Sequence, residues 1–435
     1  MTGGGVPVTQ RDDDERPPPG DAKTTGSPTP RGSGLLDSAG HAHHHGGGQG
    51  LGLSAGGSRR VRLLLATLVV PLLLATAFGV LRLWPDDGSR LGSQPVTGEG
   101  VGFVTGTVVE VVEGDVEPVR LELDDAGSVV PVQVPPEILD AGVDVGARMK
   151  VLFIPEAMGS GSPYVYVDYV RTAPLGVLAA LYATTVVLVA RWRGLAALAG
   201  LVVSLGIIAV FVLPALLSGR NPLLVAMVGA SAMMFAAVYL AHGISIRTTT
   251  ALLGTIVGLA ITTVLAAWGT GAGQLTGTGT EGSVQLLSLV PGLSLRALLL
   301  CGIVIAGLGA LNDVTITQAA AVWERHASAP EAPVRTVFAR AMRIGRDHIA
   351  STVYTLAFAY VGTALTTLLL VSLFDRSVVE TLTAGEIAEE VVRTLVSSVG
   401  LVLAIPITTG IAALLVRSAA AVERPGRGTT PAVSG

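Results

Sequence analysis

The residues best equipped for chemistry sit inside apolar runs. Between Cys301 and His326 the chain reads "CGIVIAGLGALNDVTITQAAAVWERH", so a glycine-rich run meets Asn312 and Asp313 and continues through Thr315, Thr317 and Gln318 without a turn signal. "RIGRDHIAST" then brings Arg346, Asp347 and His348 to the mouth of another apolar run, with Ser351 one turn further on. A third stretch, "AGEIAEEVVRTLVSSVGLVLAIPITTG", carries Glu386, Glu389, Glu390 and Arg393 toward a run that contains Pro406. Ionisable groups at such places either pair across helices and fix their packing, or line the path of an ion or substrate. Both readings apply here. In the second, a change in the protonation of Asp313 would couple proton movement to transport. The candidate polar site is Asn312, Asp313, Thr317, Glu324, Arg346, Asp347, Ser351, Glu386, Glu390, Arg393 and Pro406.

Helical spacing gives these residues expected faces. Gly302, Ala306, Gly309, Asp313, Thr317, Ala320 and Glu324 recur at three- or four-residue steps and so share one side of a helix. Small residues on that side would admit a neighbouring helix, so Asp313 is expected to point into a bundle. If its helix starts near Leu295, Asp313 lies about 27 Å along the axis, in the inner leaflet. Asp347, Ser351, Tyr354 and Phe358 share a second face, and Glu386, Glu389 or Glu390, Arg393, Ser397 and Gly400 a third. Pro406 is expected to interrupt its helix, because proline frees a backbone carbonyl.

Other chemistries find less support. No HExxH, GxSxG, P-loop or CxxC motif occurs, and the histidines outside the N-terminal tail are scattered at His242, His326 and His348. The expectation is therefore no enzyme, no cofactor and no metal centre. Only the tract His41, His43, His44 and His45 has metal-ligand character, and its glycine flanks fix no geometry. The single Cys301 excludes an intrachain disulfide and reads as a buried thiol. A net charge of −4 without a basic stripe gives nucleic acid no electrostatic footing.

Composition says what must position these residues. Half of the chain is apolar and only 14% is charged, against about 25% charged in soluble domains. The chain is an integral membrane protein by that measure, with the lipid bilayer as its first partner. About 20 helical residues cross a 30 Å hydrocarbon core. That ruler gives eight spans, at 61–84, 174–190, 194–217, 222–241, 249–269, 295–316, 349–372 and 395–417. Arg191, Arg193, Arg247, Arg325, Arg335, Arg340, Arg343, Arg346 and Arg417 then fall on one side, which the positive-inside rule makes cytoplasmic, with both termini. Trp84, Trp192, Trp268 and Trp323 fall near span ends, where interfacial tryptophans belong. Residues 1–58 and 418–435, poor in core-forming side chains, read as disordered cytoplasmic tails.

Between the first two spans, over 95–172, the texture changes to valine-rich alternation: "VGFVTGTVVEVVEG", "VRLELDDAGSVVPVQVPP", "GARMKVLFIPE" and "SPYVYVDYVRTAP". Period-two patterning bounded by Gly, Asp and Pro predicts about five strands, enough for a small all-β, OB-like extracytoplasmic domain. Glu110, Glu113, Asp115, Glu117, Glu122, Asp124 and Asp125 give it an acidic surface, which argues against nucleic acid.

Three blocks in order, "GLGALNDVTITQAAAVWE", "RIGRDHIASTVYTLAFAYVG" and "EIAEEVVRTLVSSVGLVLAIPITT", resemble the signature blocks of the YibE/F-like family of bacterial multi-span membrane proteins. The resemblance runs from about residue 100 to 417. The matching positions are Gly309, Asp313, Glu324, Gly345, Arg346, Asp347, Glu386, Glu390, Arg393, Gly400 and Pro406; Asn312 stands where an apolar residue is expected, and Ser398 where glycine is expected. The resemblance implies a bacterial plasma membrane and brings no established reaction or substrate. The expected function is a transporter or permease-like component. The alternative is a membrane scaffold or sensor whose β domain docks a partner, and a second copy or a paired membrane protein is the class of partner left open.

Overall fold

The computed structural model describes Leu53 and residues 55–423, apart from most of 86–99 and positions 113, 160, 161, 280 and 291. The His41 to His45 tract, nearly all of the 1–58 tail, Glu113 and everything after Glu423 lie outside the described residues. The order of elements is α1 (Ala55–Arg82), β1 (Gly102–Val111), β2 (Val119–Leu123), β3 (Val129–Val132), α2 (Pro136–Asp140), β4 (Arg148–Phe153) and β5 (Tyr164–Tyr169). Then come α3 (Thr172–Ile207), one π-helical turn at Ile208–Val212, α4 (Leu213–Leu217), α5 (Pro222–His242), α6 (Ile246–Ala272) and α7 (Glu281–Leu289). The chain finishes with α8 (Leu295–Ala306), α9 (Leu308–Ser328), α10 (Val334–Thr363), α11 (Leu365–Ser372), α12 (Val378–Thr383) and α13 (Gly385–Glu423).

The five strands form one antiparallel sheet in the order β3-β2-β1-β4-β5. Its two edges approach each other through a parallel bridge between Gln133 and Val165, so the sheet curls into a half-barrel. Alternation drives the curl: Val108, Val119, Leu121, Val132, Met149 and Val151 are buried on the inner face. Gly106 is required where β1 crosses β2, because a methyl group there would overlap the Glu122 carbonyl. The acidic surface is partly neutralised, since Asp115 pairs with Arg120 at 2.8 Å and Asp124 pairs with Arg148.

The hydrogen bond from Thr105, 2.6 Å from Asp124, is the main influence holding the Asp124 carboxyl below the usual range, with Arg148 assisting. A carboxyl lowered on folding stabilises the fold at pH values above the ordinary aspartate range. That contribution disappears as pH falls through the lowered value. NMR titration should show Thr105→Val moving the Asp124 midpoint upward.

Among the described residues six helices are long and apolar enough to cross a membrane, and the bent pair of α10 and α11, counted as one span, makes seven. One of the six, Thr172–Leu217, has 46 residues. It would be about 69 Å long if straight, more than twice the hydrocarbon thickness. It is not straight. Arg191 takes φ 55°, outside the helical region. A methyl group on Gly194 would touch the Val186 carbonyl, although residues eight apart in an unbroken helix are separated by about 12 Å. The chain therefore folds back at Arg191, between the two stretches expected as separate spans. Gly200 packs on Ala237 and Gly229 on Val212, so the second half of α3 runs antiparallel to α5. Trp84 stacks on Phe211 at 6.2 Å, which places the end of α1 opposite the Arg191 turn.

Several helices differ from expectation: α9 runs on to Ser328, α13 starts at Gly385, and the short α7 and α12 were not expected. The helix of the seventh span starts at Val334 rather than near 349, and α10 and α11 meet at a 66° bend. Ala364 leaves the helical region there, and the Thr363 hydroxyl donates to the Tyr360 carbonyl at 2.8 Å, as serine and threonine do where helices bend. Pro406 does not interrupt its helix, for α13 runs through it over 39 residues. Membrane helices accommodate proline when close neighbours hold the chain, and Ala404 and Ile405 beside it are fully buried. Finally, α1 starts at Ala55, inside the stretch expected as tail.

Glycines set how closely α6, α9, α10 and α13 approach. A methyl group at Gly254 would overlap the Thr408 hydroxyl, at Gly258 it would come within 2.9 Å of Leu311, and at Gly400 it would overlap the Thr262 hydroxyl. Gly400→Val should therefore lower the stability of the bundle by about 1–3 kcal/mol, the usual cost of overpacking. Gly410→Ala, where a methyl group meets nothing within 4 Å, should not lower the thermal midpoint of purified protein, since alanine suits a helix interior better than glycine.

Candidate functional site

Antiparallel contacts between α6 and α9 measure how deep the polar residues lie. Trp323 Nε1 donates to Thr250 Oγ1 at 3.4 Å, the hydroxyls of Thr255 and Thr315 are 2.6 Å apart, and Leu311 abuts Gly258. Asp313 is thus level with the stretch of α6 between Thr255 and Gly258. The 27-residue α6 has its midpoint at Leu259, so Asp313 lies within about 6 Å of the middle. Thr255 to Gly258 lie on the Ile246 side of Leu259, so Asp313 keeps the side expected to be inner but is nearer the middle than a count of about 27 Å from Leu295 puts it. Leu295, the assumed starting point, abuts Gly277, which lies beyond the end of α6.

The face of Asp313 is corrected too. The buried side of α9 is Leu308, Leu311, Val314, Thr315, Gln318, Ala319, Val322, Trp323 and His326. Ala306, Gly309, Asp313 and Glu324 are exposed, and the Asp313 side chain is 74% exposed. The stripe of small residues therefore looks out of the chain. The larger apolar residues, with Thr315 and Gln318, form the other side and enter the core because they bury more surface. Trp323, expected at the membrane interface, is fully buried in that core, whereas Trp84, Trp192 and Trp268 are exposed.

The outward face gathers part of the candidate set. Asp313 Oδ2 lies 3.7 Å from His348 Nε2 of α10, and His348 Nε2 has no hydrogen-bond partner among the described residues. Neither Arg346 nor Asp347 has an ion-pair partner among the described residues, and both are exposed. Gly345 beside them packs within 2.6 Å of Ile405 and 3.0 Å of Gln318, measured from a methyl group placed on it. Arg346 and Asp347 therefore sit only a turn or so from the depth of Asp313. Ser351 is exposed on the same face, Thr317 is half-buried with its hydroxyl donating to the Asp313 carbonyl at 2.8 Å, and the buried Asn312 Oδ1 has no partner among the described residues.

The remaining candidates lie elsewhere. Glu324 meets Arg247 at 3.4 Å, near the end of the bundle where α6 starts. Glu386, Glu390 and Arg393 belong to the opposite end, Glu386 exposed and Glu390 paired with Arg393 at 3.2 Å. Glu389, which spacing could not separate from Glu390, is the inward one: it is 8% exposed and accepts a hydrogen bond from the Gly277 amide at 2.9 Å. It pins the connection after α6 against α13. Pro406 is half-buried beside the contact of Ile405 with Gly345.

Sequence reasoning passed over the inner seam. Thr409 Oγ1 donates to Gln318 Oε1 at 3.0 Å, and Thr250, Thr255, Thr315, Thr408 and Thr409 are all fully buried. The available signal was the seven-residue spacing of Thr248, Thr255 and Thr262, which returns to one helix face. Thr250 and Thr255 donate to the carbonyl four residues back, and the single Thr409 proton is shared between Gln318 Oε1 and the Ile405 carbonyl at 2.7 Å, so these hydroxyls bond without water.

Long apolar helices, glycine-mediated contacts and buried hydroxyl pairs define a polytopic helical membrane protein. The profile of the YibE/F-like protein family matches residues 178–418, more than half of the chain, and the chain belongs to that family. The match starts inside α3, so α1 and the half-barrel lie outside it, a shorter reach than the resemblance from about residue 100. No curated protein and no solved structure matches the chain.

The Thr255–Thr315 pair gives a direct test of the seam. A double-mutant cycle of Thr255→Val and Thr315→Val, read by reversible unfolding in detergent or bicelles, should give a coupling of about 0.6 kcal/mol, typical of hydroxyl pairs between membrane helices.

Proposed function

We propose that this protein is a permease-like component of a bacterial plasma membrane, in which Asp313 and His348 form the ion-responsive element. The observation that carries the reading is an acid and an imidazole 3.7 Å apart, halfway along the bundle. An acidic side chain at the centre of a membrane helix costs about 2.5–3.5 kcal/mol on insertion scales, so sequences keep one there chiefly for function. Movement of a proton on or off this pair would change the charge at mid-depth and favour a different arrangement of α9 and α10.

The proposed topology has eight crossings. It counts the two halves of Thr172–Leu217 separately, on the strength of the reversal at Arg191, and the bent α10–α11 pair as one. Both termini are then on the arginine-rich side, cytoplasmic by the positive-inside rule, and the half-barrel is outside. The edge bridge at Gln133, with α2 between β3 and β4, supports an OB-like class for that domain. No catalytic step, cofactor or nucleic-acid partner enters the proposal.

A second reading, a non-transporting scaffold or sensor whose β domain docks a partner, is favoured by one observation. Gly254, Gly258 and Gly400 let α6, α9 and α13 close on one another. Cysteines at Asn312, Thr317 and Ser351, in a Cys301→Ser background and exposed to a membrane-impermeant thiol reagent, separate the two readings. Reaction from one side supports a water path, and silence from both sides supports the scaffold. Asp313→Asn, folded and in liposomes, should lose at least tenfold of the ion or proton flux that the wild type shows. An unchanged flux would eliminate Asp313 from coupling.

A further inference from the structure

The outward face of α9 and α10 is unlike a lipid-facing surface. On α3 most exposed residues are those expected against acyl chains, such as Leu181, Leu188 and Val189, with Thr184 and Thr185 among the exposed polar residues before the Arg191 turn. On α9 and α10 the exposed residues include Asp313, Arg346, Asp347 and Ser351, with Gly309, and Ala306 at the end of α8, leaving the helix backbone bare. The contacts with α6 and α13 put Asp313 at the middle of the bundle and Arg346 and Asp347 a short distance toward one end. Arginine can reach the membrane surface along its flexible stem, but an aspartate cannot extend that far. Hydrocarbon is therefore a poor cover for Asp313 and Asp347.

We propose that this face is covered by a second copy of the same chain, giving a two-fold symmetric dimer through α9 and α10. Three features select a second copy. The face carries both signs of charge on neighbouring residues, Arg346 and Asp347, so a two-fold axis running near them lets Arg346 of one copy meet Asp347 of the other, twice over. Ala306 and Gly309 permit the backbone approach that interhelical hydrogen bonds need, and Ser351 supplies a hydroxyl for them. Beside these, Tyr354 and Phe358 stack at 6.4 Å while 62% and 72% exposed, as large anchors in search of a partner surface. The small residues alone would not choose a partner. The unpaired charges at depth require a polar one, and the mixture of signs makes the face complementary to itself.

The dimer does not depend on whether the protein transports anything, and its test reads association alone. In a Cys301→Ser background, Gly309→Cys and Ser351→Cys would be oxidised in full-length protein reconstituted at high lipid dilution. Leu188→Cys, on a lipid-like surface and 74% exposed, serves as the control. Covalent dimer from Gly309→Cys or Ser351→Cys, at least fivefold above the control, is the expected result. Equal yields from all three positions would overturn the proposal. The unsubstituted protein in lipid nanodiscs, weighed by native mass spectrometry, gives a reading free of cysteine effects. Two copies per disc are expected; one copy, alone or with lipid or another membrane protein attached, would overturn it.

Discussion

Hydrocarbon supplies no hydrogen bonds, and that constraint governs this structure more than any other. Each polar group within the spans has to find a partner in the protein. Thr250, Thr255, Thr262, Thr263 and Thr409 do so locally, donating to carbonyls one turn back, and Thr255 with Thr315 and Gln318 with Thr409 do so across helices, whereas the buried Thr408 hydroxyl has no partner among the described residues. Such short side chains meet only if the backbones are close. Gly254, Gly258, Gly345 and Gly400 provide that closeness, so the hydrogen bonds of the seam and its glycines belong to one arrangement. Neither works without the other.

Against this background the α9–α10 face is the exception. The same turn of α9 that sends Thr315 inward sends Asp313 outward, because residues two apart on a helix point in different directions. His348 approaches within 3.7 Å and no closer, leaving Asp313 largely exposed. The proposed ion response and the proposed dimer both follow from this unmet requirement. A polar cover over Asp313 satisfies its need for company at depth, and its protonation is then felt by two helices, or by four across a symmetric interface.

Much of the architecture was legible in the residues. The β strands were recognisable because Val108, Val119, Leu121 and Met149 alternate with exposed positions, and β1 to β5 fall within the expected stretches. Long apolar runs announced the helices. The break at Arg191 was also visible, through the pair Arg191 and Arg193 between two apolar stretches. The bend at Ala364 was passed over although Gly362 stands two residues before it, because a lone glycine inside an apolar run is also common in unbroken membrane helices. The site was half legible. Periodicity correctly grouped Gly309, Asp313 and Glu324 on one face but could not say which way the face looks. A small-residue stripe serves equally well inside a bundle or between two molecules. Asp313 was set too far from the middle because it was counted from Leu295, whose position beyond the end of α6 depends on the contact with Gly277.

The central claim is that Asp313 lies at mid-depth on a face shielded from lipid. Gly309, one turn away and exposed on the same side, can report on it. A nitroxide attached at Gly309→Cys, in a Cys301→Ser background in bilayers, would be measured by power-saturation EPR against oxygen and against a water-soluble nickel chelate. The account expects a depth near the bilayer centre together with oxygen collisions well below those of a label at Leu188→Cys. A depth at the headgroups, or oxygen collisions equal to those at Leu188, would contradict it.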